Sequence, residues 1–226
     1  MAPALALGHG TLGLYNSRMS SPLPRTSAPR SSRYKTCRRY NVPGHAHFLT
    51  FSCLRRQAFL SGGRACEWFL QALEAARAKH GFGVWAYVLM PEHVHLLIWP
   101  RRDDYSISKI LTDIKQPVTR AVLKFVRTTA PSFLGRMLDE RPNGESSHRF
   151  WQRGGGYDRN IWSDHELAEK INYIHENPVR RGLVKVPQDF RWSSAAFYAG
   201  QTAVDLVPDV ESLPELVIRG GRACPR

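Results

Sequence analysis

Two histidines one residue apart, His93 and His95, are the side chains in this sequence best suited to chemistry. They begin an apolar run that is typical of a β-strand, where side chains two positions apart point to the same face. Two neutral imidazoles on one face form half of a site for a divalent metal ion. A histidine pair on a partly exposed strand is the alternative interpretation, and a lone His-x-His motif does not decide between the two.

A tyrosine and an asparagine share one face of a predicted helix further along the chain. At about 100° per residue, one stripe of that helix is apolar and buried, formed by Leu167, Ile171 and Ile174. Tyr173 lies more than about 90° from this stripe, and Asn177 follows it by one turn, so both side chains can face the same point. A tyrosine packed at the helix edge and an asparagine that ends the helix are the alternative interpretations.

Arginines recur along the chain, several of them beside an aromatic residue. Arginines neutralise phosphates and aromatic rings stack on unpaired bases, so these positions are candidates for DNA binding. The alternative is ordinary solvated surface charge. The candidates are Arg38, Arg39, Arg55, Arg56, Arg153, Arg180 and Arg181.

The positive charge is concentrated at the start of the chain. The formal net charge is +13, and ten lysines and arginines precede Glu67, the first acidic residue. Such a one-sided excess indicates a polyanionic partner, most often nucleic acid. This segment has no evident basic amphipathic helix, and the chain has no apolar run of ~20 residues, so the sequence does not predict a membrane partner. The four cysteines form no CxxC pair, which favours a reducing compartment; we expect a cytoplasmic, nucleoid-associated protein.

The chain divides into three predicted regions. Residues 1–44 are rich in Ser, Pro, Arg and Gly without periodicity, which predicts a disordered basic tail. A transit peptide, or a true start at Met19, would also fit this segment. Residues 45–200 form the predicted domain, with an exposed insertion at 128–148, and residues 201–226 form a C-terminal extension.

Hydrophobic periodicity within the domain predicts alternating strands and helices. We expect strands at 47–53, 83–89, 93–99 and 150–152, and helices at 65–80, 106–127, 164–176 and 192–198. Pro117 predicts a kink or break in the second helix, and Pro178 predicts the end of the third. The order indicates an α+β domain with an antiparallel, ferredoxin-like (RRM-like) sheet and helices packed on it.

Several segments together resemble the REP-associated tyrosine transposases, which lie within the HUH superfamily of single-strand DNA endonucleases and transposases. In the HUH motif, U is a hydrophobic residue, here Val94. The resemblance spans roughly residues 46–200. The segments that carry it are MPEHVHLLI at 90–98, WQRG at 151–154 followed by YD at 157–158, YIHENPVRRGLV at 173–184, and WSS at 192–194.

The resemblance implies a metal-dependent enzyme that nicks and joins DNA. His93, His95 and Asn177 would bind Mg²⁺ or Mn²⁺, and Tyr173 would be the nucleophile that forms a 5′-phosphotyrosine intermediate. The implied partner is single-stranded or hairpin DNA, such as a repetitive extragenic palindrome (REP), and the protein would act as a monomer or homodimer without a membrane partner.

Two residues depart from the family pattern and leave the choice of target open. Glu92 stands where the family usually has asparagine, and Arg159 stands where it often has histidine. A hairpin-binding protein that has lost cleavage is the main alternative function. An RNA-binding protein on a similar sheet is a further one, although the chain lacks the aromatic-rich RNP1 pattern.

Overall fold

The computed structural model describes residues 39–215 of the 226-residue chain. Its main sheet has four antiparallel strands, which lie side by side in the order Phe82–Met90, His93–Pro100, Ala46–Ser52 and Tyr157–Ile161. This order and the helices packed on the sheet confirm the predicted α+β, ferredoxin-like class. The elements are β1 (Ala46–Ser52), α1 (Gly63–His80), β2 (Phe82–Met90), β3 (His93–Pro100), α2 (Ile107–Thr129), α3 (Leu134–Met137), β4 (Leu138–Glu140), β5 (Ser146–His148), β6 (Tyr157–Ile161), α4 (Asp164–Arg180) and α5 (Ala195–Tyr198).

Both faces of the sheet are covered, and side chains of β1 alternate between them. Leu49 and Phe51 belong to the core under α1 and α2, which we call the α2 face. Phe48 belongs to the core under α4, which we call the α4 face. Because residues two apart on a strand share a face, Thr50 lies on the α4 face with Phe48.

The predicted fourth strand at 150–152 is wrong. Trp151 forms only an isolated bridge with Cys53, and the sheet is completed by β6, which pairs with β1 at the edge. The sequence hides this strand because its inward side chains are polar. They are satisfied by distant partners: Asp158 contacts His47 at 2.8 Å, and Asn160 donates to the Tyr40 carbonyl at 2.9 Å.

Neither proline interrupts its helix. Helix α2 continues through Pro117, and α4 extends past Pro178 to Arg180, so the predicted helix end at Pro178 is wrong. A proline in a helix leaves one preceding carbonyl without its partner and strains the turn. In α4 this cost falls in the last turn, and the Arg181 amide still donates to the Asn177 carbonyl at 3.1 Å.

The predicted regions outside the core are only partly described. Residues 39–44 contact the domain; the Val42 carbonyl, for example, accepts a hydrogen bond from Tyr105 Oη at 2.8 Å. The insertion contains the β4–β5 hairpin and is mostly exposed, with Met137 buried. The rest of the predicted tail and residues 216–226 lie outside the described residues. Among residues 39–215, no helix has the length and apolar character to cross a membrane.

Candidate active site

The two histidines of β3 face each other on the α4 face of the sheet. Their Nε2 atoms are 3.0 Å apart, and their rings are nearly perpendicular, with an interplanar angle of 87°. Both side chains are buried, at 6% and 4% exposure. If two nitrogens each lie ~2.1 Å from one ion and the nitrogen–ion–nitrogen angle is about 90°, the two nitrogens are about 3.0 Å apart. The spacing therefore suits two adjacent ligands of one metal ion.

The remaining nitrogen of each imidazole is held by a neighbouring side chain. Thr50 Oγ1 lies 2.8 Å from Nδ1 of His95, and Glu92 Oε1 lies 3.1 Å from Nδ1 of His93. Such partners orient the ring of a metal-binding histidine and fix which nitrogen is available. The two Nδ1 contacts thus leave both Nε2 atoms directed at one point.

Burial keeps both imidazoles neutral. Removal from water lowers the pKa of His95 to about 3, an effect that the neighbouring His93 and Arg56 reinforce and that a hydrogen bond with Asn177 opposes. The pKa of His93 is also lowered by burial, against the opposing influence of Glu92. Neutral imidazole is the form that binds a metal, so the pair is ready to do so at neutral pH.

Tyr173 lies beside this pair. Its ring centroid is 5.2 Å from that of His95 and 5.9 Å from that of Phe48, both in edge-to-face geometry. The Arg180 guanidinium lies 5.5 Å from the Tyr173 ring centroid. The side chain is 36% exposed, whereas Leu167, Ile171 and Ile174 are buried, which confirms its predicted position off the buried stripe. An exposed phenol next to a histidine pair can reach a bound phosphodiester.

Asn177 lies at the same place, one helical turn after Tyr173. It is 8% exposed, and its Nδ2 donates to the Tyr173 carbonyl at 2.7 Å. The side chain is also hydrogen-bonded with His95, a contact that raises the imidazole pKa and therefore comes from the amide oxygen. The structure brings together all four predicted catalytic and metal-binding residues, His93, His95, Tyr173 and Asn177.

No larger metal cluster is present among residues 39–215, where no group of three or more His, Cys, Asp or Glu side chains is arranged to hold an ion. The candidate donors at this site are two imidazoles and one amide oxygen. An amide is a suitable third ligand for a hard divalent ion, which also accepts phosphate oxygens.

Glu92 joins the histidine pair to two arginines. Its Oε1 accepts a hydrogen bond from Arg181 Nη1 at 2.9 Å and lies 3.6 Å from Arg56 Nη2. Although burial opposes this, His93 and Arg181 hold the pKa of the Glu92 carboxyl below its usual range. Glu92 thus fastens the end of α4 to the start of β3.

Arg55 and Arg56 form a tight turn at the rim of the site. Both have positive φ, 51° and 54°, which is uncommon for residues with a side chain. The Arg55 amide donates to Gln152 Oε1 at 2.9 Å, which holds this turn in place. Strained backbone of this kind is found most often where function depends on a fixed direction of the side chains.

The predicted DNA-binding arginines divide between the two faces. Arg180 contacts the Tyr173 ring, and Arg56 and Arg181 contact Glu92. Arg39 and Arg153 instead line a cavity on the α2 face. Arg38 lies outside the described residues.

Thr50 and the cavity lysine Lys115 are residues that sequence reasoning missed. Thr50 is directly opposite His95 in the β1–β3 ladder. That register follows from pairing between distant segments, so no local pattern reveals it.

Comparisons with known proteins agree with this fold. A solved structure of a REP-associated tyrosine transposase bound to a REP hairpin matches 76% of this chain and 91% of that chain, with a TM-score of 0.54 and 24% sequence identity. The chain therefore shares the fold of that structure. No model of a protein family matches the chain.

Two curated relatives match by sequence. A proposed REP-associated tyrosine transposase of Haemophilus influenzae is 28% identical over 152 residues, covering 67% of this chain and 80% of the relative. The REP-associated tyrosine transposase of Escherichia coli is 26% identical over 159 residues, covering 70% and 80%. These matches confirm the resemblance to the REP-associated tyrosine transposases that was found in the sequence.

Proposed function

We propose that this protein is a metal-dependent transposase-type enzyme that cuts and rejoins single-stranded DNA at a hairpin, with Tyr173 as the nucleophile. The observation that carries the proposal is the convergence of His93 Nε2 and His95 Nε2, 3.0 Å apart, beside an exposed Tyr173 ring. The solved relative was bound to a REP hairpin, which supports hairpin DNA as the substrate class.

The donor set fits a divalent ion such as Mg²⁺ or Mn²⁺. His93 and His95 would hold it through Nε2, and Asn177 through its amide oxygen, because both Nδ1 atoms and the Asn177 amide nitrogen already have partners. When bound, the ion would neutralise and polarise the scissile phosphate. Thr50 and Glu92 would keep the rings in position.

Tyr173 supplies the new bond. Its Oη attacks phosphorus and loses its proton to solvent. The bond from phosphorus to the 3′ oxygen breaks, and this oxygen takes up a proton from solvent and leaves as a 3′-hydroxyl. The product is a 5′-phosphotyrosine intermediate, which a 3′-hydroxyl can attack to rejoin the DNA strand. Arg180, beside the tyrosine ring, would attract the phosphate backbone of the strand.

The test is a covalent adduct with a labelled oligonucleotide hairpin that carries single-stranded extensions. We expect wild-type protein with Mn²⁺ to retain a 3′-end label on a denaturing gel and to release a 5′-end label, and EDTA to prevent both. Tyr173→Phe should give no adduct. Tyr157→Phe is the matched control, since Tyr157 is 49% exposed on the same face and also packs against Phe48, at 6.1 Å.

Two outcomes would change the proposal. An adduct that persists in Tyr173→Phe and disappears in Tyr157→Phe would transfer the role of nucleophile to Tyr157. Tight hairpin binding without any adduct would identify a DNA-binding protein that has lost cleavage.

A further inference from the structure

A second concave site lies on the α2 face, on the opposite side of the sheet from Tyr173. It is a cavity of about 550 Å³ between α2 and the segment that includes the WQRG motif. Five cationic side chains line it: Arg39, Lys115, Arg120, Arg149 and Arg153. Cavities of roughly 300–1,000 Å³ are the usual size of small-molecule sites, so one nucleotide would fit here.

Lys115 is the most unusual of these cations. Its Nζ lies 5.3 Å from the Phe51 ring centroid and 5.8 Å from that of Trp151. The Nζ atom forms no hydrogen bond or ion pair with any residue between 39 and 215, although the Lys115 carbonyl accepts a hydrogen bond from Trp151 Nε1 at 3.1 Å. Burial, with a further contribution from Arg39 and Arg149, lowers the pKa of Lys115 to about 8. Removing an ammonium from water without an anionic partner is costly, and a bound anion would offset that cost.

Three of the arginines are oriented by carboxylates that contact their Nε atoms. Asp139 lies 3.0 Å from Arg149 Nε and 2.5 Å from Arg153 Nε. Asp158 lies 3.2 Å from Arg39 Nε. Fixed guanidinium groups lose less entropy when they bind an anion than free ones do.

The carboxylates do not neutralise the cavity. Two carboxylates stand against five cations, and one of them, Asp158, also contacts His47 at 2.8 Å. Arg153 Nη2 is buried without a hydrogen-bond partner among the described residues. A buried donor of this kind indicates a place where an acceptor from outside the chain can bind.

The glycine run beside the WQRG motif lets Arg39 reach the cavity. Arg39 Nη2 donates to the Gly155 carbonyl at 2.6 Å, and a Cβ on Gly155 would lie 2.0 Å from that same nitrogen. Gly155 therefore has to lack a side chain for this cation to lie where it does.

We propose that this cavity binds the phosphate of one nucleotide of single-stranded DNA, held by Lys115, Arg149 and Arg153. The concave shape favours a single nucleotide over a duplex, whose paired bases and rigid backbone cannot enter a pocket of this size. The inference rests on the proposed function in that it takes the bound strand to be DNA. It adds a contact on the face away from the nucleophile.

The test measures binding of the full chain to labelled oligothymidine in EDTA, where cleavage does not interfere. We expect Lys115→Met to weaken the affinity about tenfold, because a charge-assisted hydrogen bond is lost. The slope of log affinity against log salt should fall by about 0.7. Lys124→Met is the matched control, since Lys124 is an exposed lysine of the same helix outside the cavity, and it should change the affinity less than about twofold.

A footprint gives a second readout that does not depend on a variant folding. An amine-reactive reagent should modify Lys115 in the free protein, and oligothymidine should protect it. Thymidine monophosphate at equal phosphate concentration should protect it far less. Equal protection by the mononucleotide would assign the cavity to a free nucleotide and overturn the inference.

The two proposals fail separately. If Lys115→Met and Lys124→Met bind oligothymidine equally well while wild-type protein forms the Tyr173 adduct, the cavity inference is overturned and the proposed function stands. If no hairpin gives an adduct but Lys115→Met alone binds weakly, the cavity inference stands without the proposed function.

Discussion

Burial lowers the pKa of basic groups on both faces of the sheet, but it leaves the two faces with different charges. On the α4 face it lowers the pKa of His95 to about 3 and that of His175 to about 4, so these imidazoles are neutral at pH 7. On the α2 face it lowers the pKa of Lys115 to about 8, so this ammonium is still mostly charged. The difference arises from the starting pKa of each residue type rather than from the depth of burial.

This contrast suits two kinds of contact with one partner. Neutral imidazoles can bind a metal ion, whereas a retained cation can bind a phosphate directly. Strand β1 lies between the histidine pair and the cationic cavity, since Thr50 contacts His95 on one face and Phe51 contacts Lys115 on the other.

A side chain at Gly156 would press on strand β1 at Thr50 and Phe51, and would therefore disturb both faces of the sheet. The φ of Gly156 is +75°, and a Cβ there would lie 2.2 Å from the Thr50 carbonyl oxygen. We expect Gly156→Ala to lower the free energy of unfolding by about 3 kcal/mol or more, and Tm by roughly 6–12 °C. Gly154→Ala is the control: φ is +89° but the surrounding space is open, so the loss should be about 1 kcal/mol. Equal losses in urea unfolding would contradict the close approach to β1.

The pH dependence of stability tests whether burial keeps the His175 imidazole neutral on the α4 face. It is 8% exposed and lies 2.9 Å from Ser194 Oγ. Its folded pKa, about 4, is below that of the unfolded chain, about 6.5, so the unfolded chain takes up the proton first. Stability should therefore fall as pH drops below about 6.5, with His175 contributing a loss of about 3 kcal/mol by pH 4.

The measurement is the free energy of unfolding in urea at several pH values. His175→Gln should flatten the slope below pH 6.5 by up to about 1.4 kcal/mol per pH unit. His165→Gln, which alters a side chain that is 86% exposed, should leave the slope as in the wild type. An unchanged slope in His175→Gln would show that this imidazole takes up its proton in the folded protein.

Thr50 tests how strongly β1 supports the histidine pair. Thr50→Val removes the hydroxyl that lies 2.8 Å from His95 Nδ1, and the affinity for Mn²⁺ should fall about 10- to 100-fold. Thr50→Ser keeps the hydroxyl and should stay within a fewfold of the wild type. Calorimetric titration with Mn²⁺ checks both variants, and equal affinity of the valine variant would exclude Thr50 as a support of the metal site.

The smallest effect that we expect comes from the charge of Lys115. Raising the pH from 7 to 9 removes its proton, so oligothymidine affinity should fall about three- to fivefold, a bound phosphate partly opposing the loss. The groups that set this pKa besides burial are Arg39, Arg149 and Cys53. Lys115→Arg stays charged and should bind equally at both pH values; the same fall in the arginine variant would assign the effect to another group.

The local parts of the fold could be predicted from the sequence. Strands β1 to β3 and helices α1, α2 and α4 have clear apolar periodicity, and the position of Tyr173 off the buried stripe follows from helical geometry. Strand β6 could not be predicted, because its polar residues Asp158 and Asn160 are stabilised by His47 and Tyr40, more than a hundred positions away.

The site was predictable in its primary groups and not in their supports. The residues of the HUH-like motif and of the tyrosine helix could be picked out through the resemblance to a known family, since type and spacing alone left ordinary structural interpretations open. Thr50 became part of the site through strand register, and Lys115 through its position between two aromatic rings. Both relations join distant segments, so neither leaves a local pattern.

The alternation of β1 also limits how its length can change during evolution or engineering. Removing one residue between His47 and Thr50 would shift the residues after the deletion by one position and exchange their side chains between the faces. Phe51 would then point at His95, and the hydroxyl of Thr50 would enter the apolar core beneath α2. Natural variants and designed libraries can therefore vary the residue types in β1, but they must keep the number of residues between the tail and the Arg55–Arg56 turn.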